Sequence, residues 1–168
     1  MRSIRSGKRK VAAAIAVLAL AAMGAACMPP APAPPSCNAP AGPPDAVTSA
    51  VYNGTNGTRA YFGKGALAWN GQLYCLAADW SMQLGQSGSF HHRDLGPVIN
   101  SPAYAGYRTL GENILRGPAS MTGNDMMNAW MASPGHAANI LSGSYTSIGI
   151  GLYYAADGSV YATQNFGG

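Results

Sequence analysis

His92, Glu112 and His136 are the residues of this chain whose types can do chemistry together. Only three histidines occur in the 168 residues, and Glu112 is the only glutamate. The three stand 20 and then 24 residues apart, each beside turn-forming residues. Two imidazoles and a carboxylate can hold a divalent cation, or act as a general base with a group that orients it. Around His136 the stretch Trp130-Met131-Ala132-Ser133-Pro134-Gly135-His136 reads as a helix start. Ser133 offers a hydroxyl N-cap, and Pro134 suits the first helical position, where no backbone donor is lost. His136 then stands in the first turn, at the positive end of the helix dipole, where the neutral imidazole of a base or metal ligand is favoured. His91 is expected to be an exposed neighbour. No HExxH, GxSxG, phosphate-binding glycine loop or CxxC pair is present, so composition and spacing alone point to no single reaction.

The elements that must position these residues follow from caps and periodicity. Asp45 is expected to cap a first helix running to about Tyr61, with Ala46, Val47, Ala50 and Val51 on one face. Leu73, Leu76, Ala77, Trp80 and Leu84 recur at spacings of three and four, predicting an amphipathic helix from Asn70 to about Gly85–Gly88. Cys75 lies off that stripe. Ser89 to Arg108 reads as a loop, and it carries His91 and His92. A short segment follows around Gly111-Glu112-Asn113-Ile114. Asn124 or Asp125 is expected to cap a helix through Met126, Met127, Trp130 and Met131. Beyond Leu141 the period changes to two: Ile148, Ile150 and Leu152 alternate with Gly149, Gly151 and Tyr153. Val160 to Phe166 forms a second strand after the turn Ala156-Asp157-Gly158-Ser159. Helices followed by an antiparallel hairpin predict an α+β fold with helices packed on a sheet. Trp80, Trp130, Met126 and Met127 are expected in the core, Tyr104 and Tyr107 at the surface or on the rim of a cleft.

The net charge of +4 belongs to one end of the chain. Arg2, Arg5, Lys8, Arg9 and Lys10 precede the apolar run Val11 to Ala22, the charged and hydrophobic regions of a secretory signal too short to span a membrane. Without them five cations face six acids, a net charge of −1, and nothing argues for nucleic acid. Residues 1–27 are therefore read as the signal. Gly24-Ala25-Ala26-Cys27 resembles a lipobox, whose cysteine is acylated and anchors the protein to a membrane, and it also suits an ordinary signal peptidase. With Cys27 acylated, Cys37 and Cys75 remain as a candidate disulfide pair in an oxidising exterior. Residues 28–44 carry eight prolines and read as a semi-rigid linker before a domain at 45–168.

Four strings in order resemble a known family: Gly111-Glu112-Asn113-Ile114, Trp130-Met-x-Ser133-Pro134-Gly135-His136-x-x-Asn139-Ile140-Leu141, Ile148-Gly149-Ile150-Gly151 and Gln164-Asn165-Phe166-Gly167. With Asn56-x-x-Arg59 and Phe90-x-His92-Arg93 upstream, the chain is identified as a bacterial member of the CAP (SCP domain) superfamily of cysteine-rich secretory, antigen 5 and pathogenesis-related proteins. The resemblance implies a three-layer α-β-α sandwich with a shallow cleft lined by His92, Glu112 and His136, and in some relatives zinc on the two histidines. A second cleft glutamate of the family is missing here. The expected protein is exported, extracellular or held in the cell envelope as a lipoprotein. Its cleft is expected to bind a lipid, a sterol-like molecule, an envelope glycan or a cation such as zinc. The alternative is a metal-assisted hydrolase, for instance a peptidase, in which His136 is the base, Glu112 orients it and His92 completes the metal shell. Whether there is any enzymatic activity stays open at this point.

Overall fold

The computed structural model describes residues 37–168. The readings of the signal segment, of Cys27 and of residues 28–36 fall outside the described residues.

The first helix, α1, spans Ala46–Tyr61, and Asp45 caps it as expected, its carboxylate accepting from the Thr48 amide at 2.8 Å and the Thr48 hydroxyl at 2.7 Å. After a two-residue strand β1 (Ala68–Trp69), α2 covers Gly71–Ser87. Asn70 caps it by accepting from the amides of Gln72 and Leu73, and Gly88 ends it in the left-handed conformation at φ 68°, where a side chain would be strained. The stretch expected as a loop after α2 contains a short helix α3 (Leu95–Ile99) and one 3₁₀ turn (Pro102–Tyr104) that buries Tyr104 against Leu73 and Leu76. The short segment around Glu112 is a nine-residue strand, β2 (Leu110–Pro118). Helix α4 (Gly123–Met131) starts earlier than an Asn124 or Asp125 cap would place it. Thr122 is the N-cap, and Asp125 closes a reciprocal capping box by accepting from the Thr122 amide at 2.9 Å. Helix α5 (Pro134–Leu141) begins at Ser133-Pro134, but the Ser133 hydroxyl makes no capping bond. Only its carbonyl enters the helix, accepting from the Ala137 amide at 2.9 Å. Strands β3 (Ser147–Tyr154) and β4 (Ser159–Gly167) form the terminal hairpin, turning through Gly158 at φ 79°.

The sheet order is β1-β3-β4-β2, with β1 parallel to β3 and the remaining pairs antiparallel. Alternation along β3 divides the molecule into layers. Ile148 and Ile150 face α1, α4 and α5 and join Val51, Met126, Trp130, Ile140, Val160 and Phe166 in the main core. Each of these fully buried apolar side chains contributes roughly 1.5–3 kcal/mol. Gly149 and Gly151 face α2, and a Cβ on either would run onto the backbone of Leu73–Tyr74 or Ala77–Ala78. The Ile-Gly-Ile-Gly string is thus an isoleucine face for one helical layer and a bare face on which α2 lies with its backbone. The result is the three-layer α-β-α sandwich. Cys37 and Cys75 form a disulfide with Cα atoms 5.8 Å apart, and the Trp69 indole N–H donates to the Pro40 carbonyl at 3.0 Å. From Cys37 onward the proline-rich stretch is therefore fastened to α2 and β1. Among the described residues no helix is long and apolar enough to cross a membrane.

Candidate functional site

β2 is an edge strand, and the candidate site is built around it. Asn113 and Leu115 turn toward the α1–α4–α5 layer, while Glu112 and Ile114 turn toward the side of α2. Glu112 is buried, its side chain 3% exposed, and its Oε1 accepts two hydrogen bonds, from His92 Nδ1 at 2.9 Å and from the Arg93 amide at 3.0 Å. Its Oε2 is buried and makes no hydrogen bond among the described residues. An ionised carboxylate can only accept; against it the ring donates from Nδ1 and, when neutral, carries its lone pair on Nε2. The His92 side chain is 56% exposed, which presents that nitrogen to solvent. Glu112, almost wholly buried, is covered from solvent beside this ring.

His136 approaches from the opposite layer, on the first turn of α5. Its ring lies 6.3 Å from that of His92, centroid to centroid, with the planes at 58°. Burial, and secondly the neighbouring His92, hold the His136 pKa below the ordinary imidazole value, so the neutral form persists. That agrees with the expectation from the helix N-terminus. The position of α5 is fixed by the side-chain amides of buried Asn113 and Gln164 and half-buried Asn139. Asn113 Nδ2 donates to the His136 carbonyl at 3.1 Å and to Gln164 Oε1 at 3.0 Å. Asn139 Nδ2 donates to the Glu112 carbonyl at 3.0 Å and to Asn113 Oδ1 at 2.9 Å, and Gln164 Nε2 donates to the Thr55 hydroxyl at 3.0 Å. These polar side chains are tolerated in the core because each finds partners there. At its far end α5 is held by Arg59. This residue is 2% exposed and donates from one nitrogen to the carbonyls of Ile140 and Ser142, both at 2.8 Å, and from Nε to Gly65 at 2.7 Å.

The structure thus brings His92, Glu112 and His136 to one edge of the sheet, each from a different element. His91 points elsewhere: its ring meets Trp80 edge-on at 5.1 Å, beside a groove lined by Trp80, Gln83, Leu84, Gln86, Ser87, Ser89 and His91. None of the three site residues lines that groove. Tyr104 is a core residue and does not rim the cleft. Three residues that sequence reasoning did not connect with the site are Asp79, Trp80 and Arg93. The Arg93 guanidinium pairs with Asp79 and lies over the Trp80 ring, 4.7 Å from its centroid. Only the helical stripe of α2 marked Trp80, and no spacing rule links residue 79 to residue 93.

Zinc, which the resemblance implies, can be tested against the donor set. His92 and His136 supply two imidazoles, while Glu112 has committed Oε1 to His92 and Arg93. Among the described residues no group of three His, Cys, Asp or Glu side chains stands together in ligating geometry. A closed four-ligand zinc centre therefore does not fit. Any cation here would have to be held by His92 and His136, whose rings lie 6.3 Å apart, with the buried carboxylate orienting His92 from behind.

Comparison with known proteins agrees with the fold. Residues 52–166 match the family described as CAP, the cysteine-rich secretory protein family. An uncharacterized protein, YkwD of Bacillus subtilis (strain 168), is 43% identical over 61 residues, 36% of this chain and 22% of that protein. The chain therefore spans about a fifth of the length of this curated relative. An extracellular protein containing a SCP domain from Bacillus anthracis str. Ames superposes with a TM-score of 0.61 at 27% identity, over 70% of this chain and 39% of that one. An outer surface protein from Borrelia burgdorferi superposes with a TM-score of 0.60 at 19% identity, over 71% of this chain and 90% of that one.

Proposed function

We propose that this chain, which belongs to the cysteine-rich secretory protein family, is an exported cell-envelope protein whose CAP domain binds a polar ligand between His92 and His136. The observation that carries the reading is the His92–Glu112 pair: a buried carboxylate fixes the ring and leaves its Nε2 facing solvent, across from a neutral His136. Two imidazoles, one seated on a buried carboxylate and the other held neutral by burial, suit a divalent cation or the hydroxyl groups of an envelope glycan. A lipid or sterol-like ligand would have to use apolar surface outside this pair. A bound cation would polarise a ligand oxygen as a Lewis acid; His92 and His136 would hold it, and Glu112 would keep His92 in register. Export is supported by the basic and apolar segments at the N-terminus and by the extracellular description of the Bacillus anthracis relative. Attachment to a membrane through an acylated Cys27 belongs to the same proposal, and mass spectrometry of the mature N-terminus decides between it and simple secretion.

The second reading, a metal-assisted hydrolase such as a peptidase, needs a carboxylate free to exchange a proton with the reacting groups. Glu112 lies beneath His92 and is shielded from the cleft, which favours binding over hydrolysis. The test is calorimetric titration of the mature protein with zinc, using the wild type, His92→Ala, His136→Ala and His91→Ala. Saturable binding that is lost in the first two variants and kept in the third supports the pair as the cation site. A thermally silent wild type, or loss on replacing His91, sinks that part of the reading. Titration with soluble peptidoglycan fragments, followed through the histidine ring signals, tests the glycan: unmoved His92 and His136 signals remove it. Casein cleavage abolished by Glu112→Gln would reinstate the hydrolase.

A further inference from the structure

His92 is the most exposed member of the site, yet its ring has to meet a buried carboxylate. Among the described residues its side chain makes one hydrogen bond, to Glu112, so the rest of its placement comes from the backbone on either side. That backbone is gripped from α2. The Trp80 indole N–H donates to the His91 carbonyl at 3.2 Å, and the His91 ring stands edge-on against the same indole. On the other side of His92, the Arg93 guanidinium is pinned between Asp79 and the face of Trp80, with the Arg93 and Asp79 side chains each only 15% exposed. Asp79 also accepts from Gln83 Nε2 at 2.7 Å, which holds the carboxylate along α2. The Arg93 amide then reaches the same Glu112 oxygen as the His92 ring. Two consecutive residues of one helix thus anchor the residues before and after His92. A partly desolvated ion pair stacked on an indole is far stiffer than an exposed one.

We infer that Arg93, clamped by Asp79 and Trp80, is a positioning residue that sets the His92 ring on Glu112 and so fixes which ring nitrogen faces the cleft. The inference rests on His92 being a ligand-facing group, but its geometry can be measured with no ligand present. In the full mature chain with ¹⁵N-labelled histidine, long-range ring spectra of the neutral form are expected to show a single Nδ1–H tautomer for His92. In Arg93→Met and Asp79→Asn this is replaced by a mixture of both tautomers, while the His136 pattern is unchanged. Arg93→Lys keeps the charge but cannot lie flat on Trp80, and is expected to restore the single tautomer in part. Should Arg93→Met fail to fold, Asp79→Asn and Arg93→Lys carry the same test. A single His92 tautomer in all the variants overturns the inference, even if thermal stability falls, because the clamp would then be structural only. Equal disturbance of His92 and His136 overturns it too, since that is general loosening. A negative zinc or glycan titration bears on the proposed function and leaves this result readable.

Discussion

Arg59 gives the sharpest energetic test of how the site is held. It is a buried cation with no carboxylate partner among the described residues; its three hydrogen bonds all go to carbonyls, two of them at the end of α5. Those carbonyls are the orphan acceptors that every helix leaves at its C-terminus, where a cation also meets the negative end of the dipole. Hydrogen bonds from a charged donor contribute about 1.5–3 kcal/mol each, so three come to a gross value of roughly 4.5–9 kcal/mol. Desolvating the guanidinium costs several kcal/mol of that in the native protein. Replacement by Met recovers this cost but strands the Ile140 carbonyl, whose residue is fully buried, at about 1–3 kcal/mol for an unpaired acceptor. The expected net loss for Arg59→Met is about 3 kcal/mol, or about 10 °C in the melting temperature of a domain this size. Arg59→Lys keeps the charge but has a single nitrogen where the guanidinium uses two, so about half that loss is expected. Urea unfolding monitored by tryptophan fluorescence measures both. A loss below about 1 kcal/mol for Arg59→Met, with an unchanged denaturant slope, would refute the assignment of Arg59 as the brace of α5.

Other substitutions test other links. Gly151→Ala places a Cβ on the α2 backbone at Ala77–Ala78, which cannot yield like a flexible side chain; a loss of about 3 kcal/mol is expected by chemical denaturation. Gly57→Ala in α1 meets nothing within 4 Å and should stabilise by about 0.5–1 kcal/mol, and a loss at this position would count against the helix packing described. Cys37→Ser or Cys75→Ser opens a crosslink that closes a separation of 38 residues, and each should cost about 2–4 kcal/mol with no further loss in the double variant. The Asp125 carboxyl is held below its ordinary value of 3.8 by the Thr122 hydroxyl and then the Thr122 amide. A depressed carboxyl stabilises the fold above its unfolded value and loses that contribution as pH falls through the folded one. The stability gap between wild type and Asp125→Asn should therefore be constant near neutrality and close as pH drops below about 4, as read by urea unfolding at several pH values.

What the sequence made legible divides along physical lines. Asp45, Asn70 and Gly88 announce α1 and α2 because their signals are local: a capping side chain, a left-handed glycine, an apolar stripe. The hairpin is equally plain from the alternation of isoleucine and glycine. β2 resists such reading because its first half contains Gly111-Glu112-Asn113, residues unfavourable in strands by propensity. They are stabilised by partners far away in the chain, Asn113 by Gln164 and Asn139, and Glu112 by His92 and Arg93. Thr122 is hidden as the cap of α4 for a related reason, since Asp125 is a good cap in isolation and an N3 partner once the box closes. Within the site, residue types and the family resemblance together pick out His92, Glu112 and His136. The clamp of Asp79, Trp80 and Arg93 has no signature in spacing, because it forms only when α2 lies beside the segment that follows it.

Helix α5 has eight residues, well under the length at which a helix persists alone in water. Every group that holds it belongs to another element: Asn113 at its first turn, Trp130 and the sheet beneath it, Arg59 at its last turn. Away from those partners it has little to keep it helical, so His136 is presented only where α5 is docked. A peptide copied from residues 130–141 should be unstructured and unable to bind. The pairing of His92 with His136 is then a property of the assembled sandwich. A chain in which α5 has come away from the sheet would carry the motif intact and still have no site.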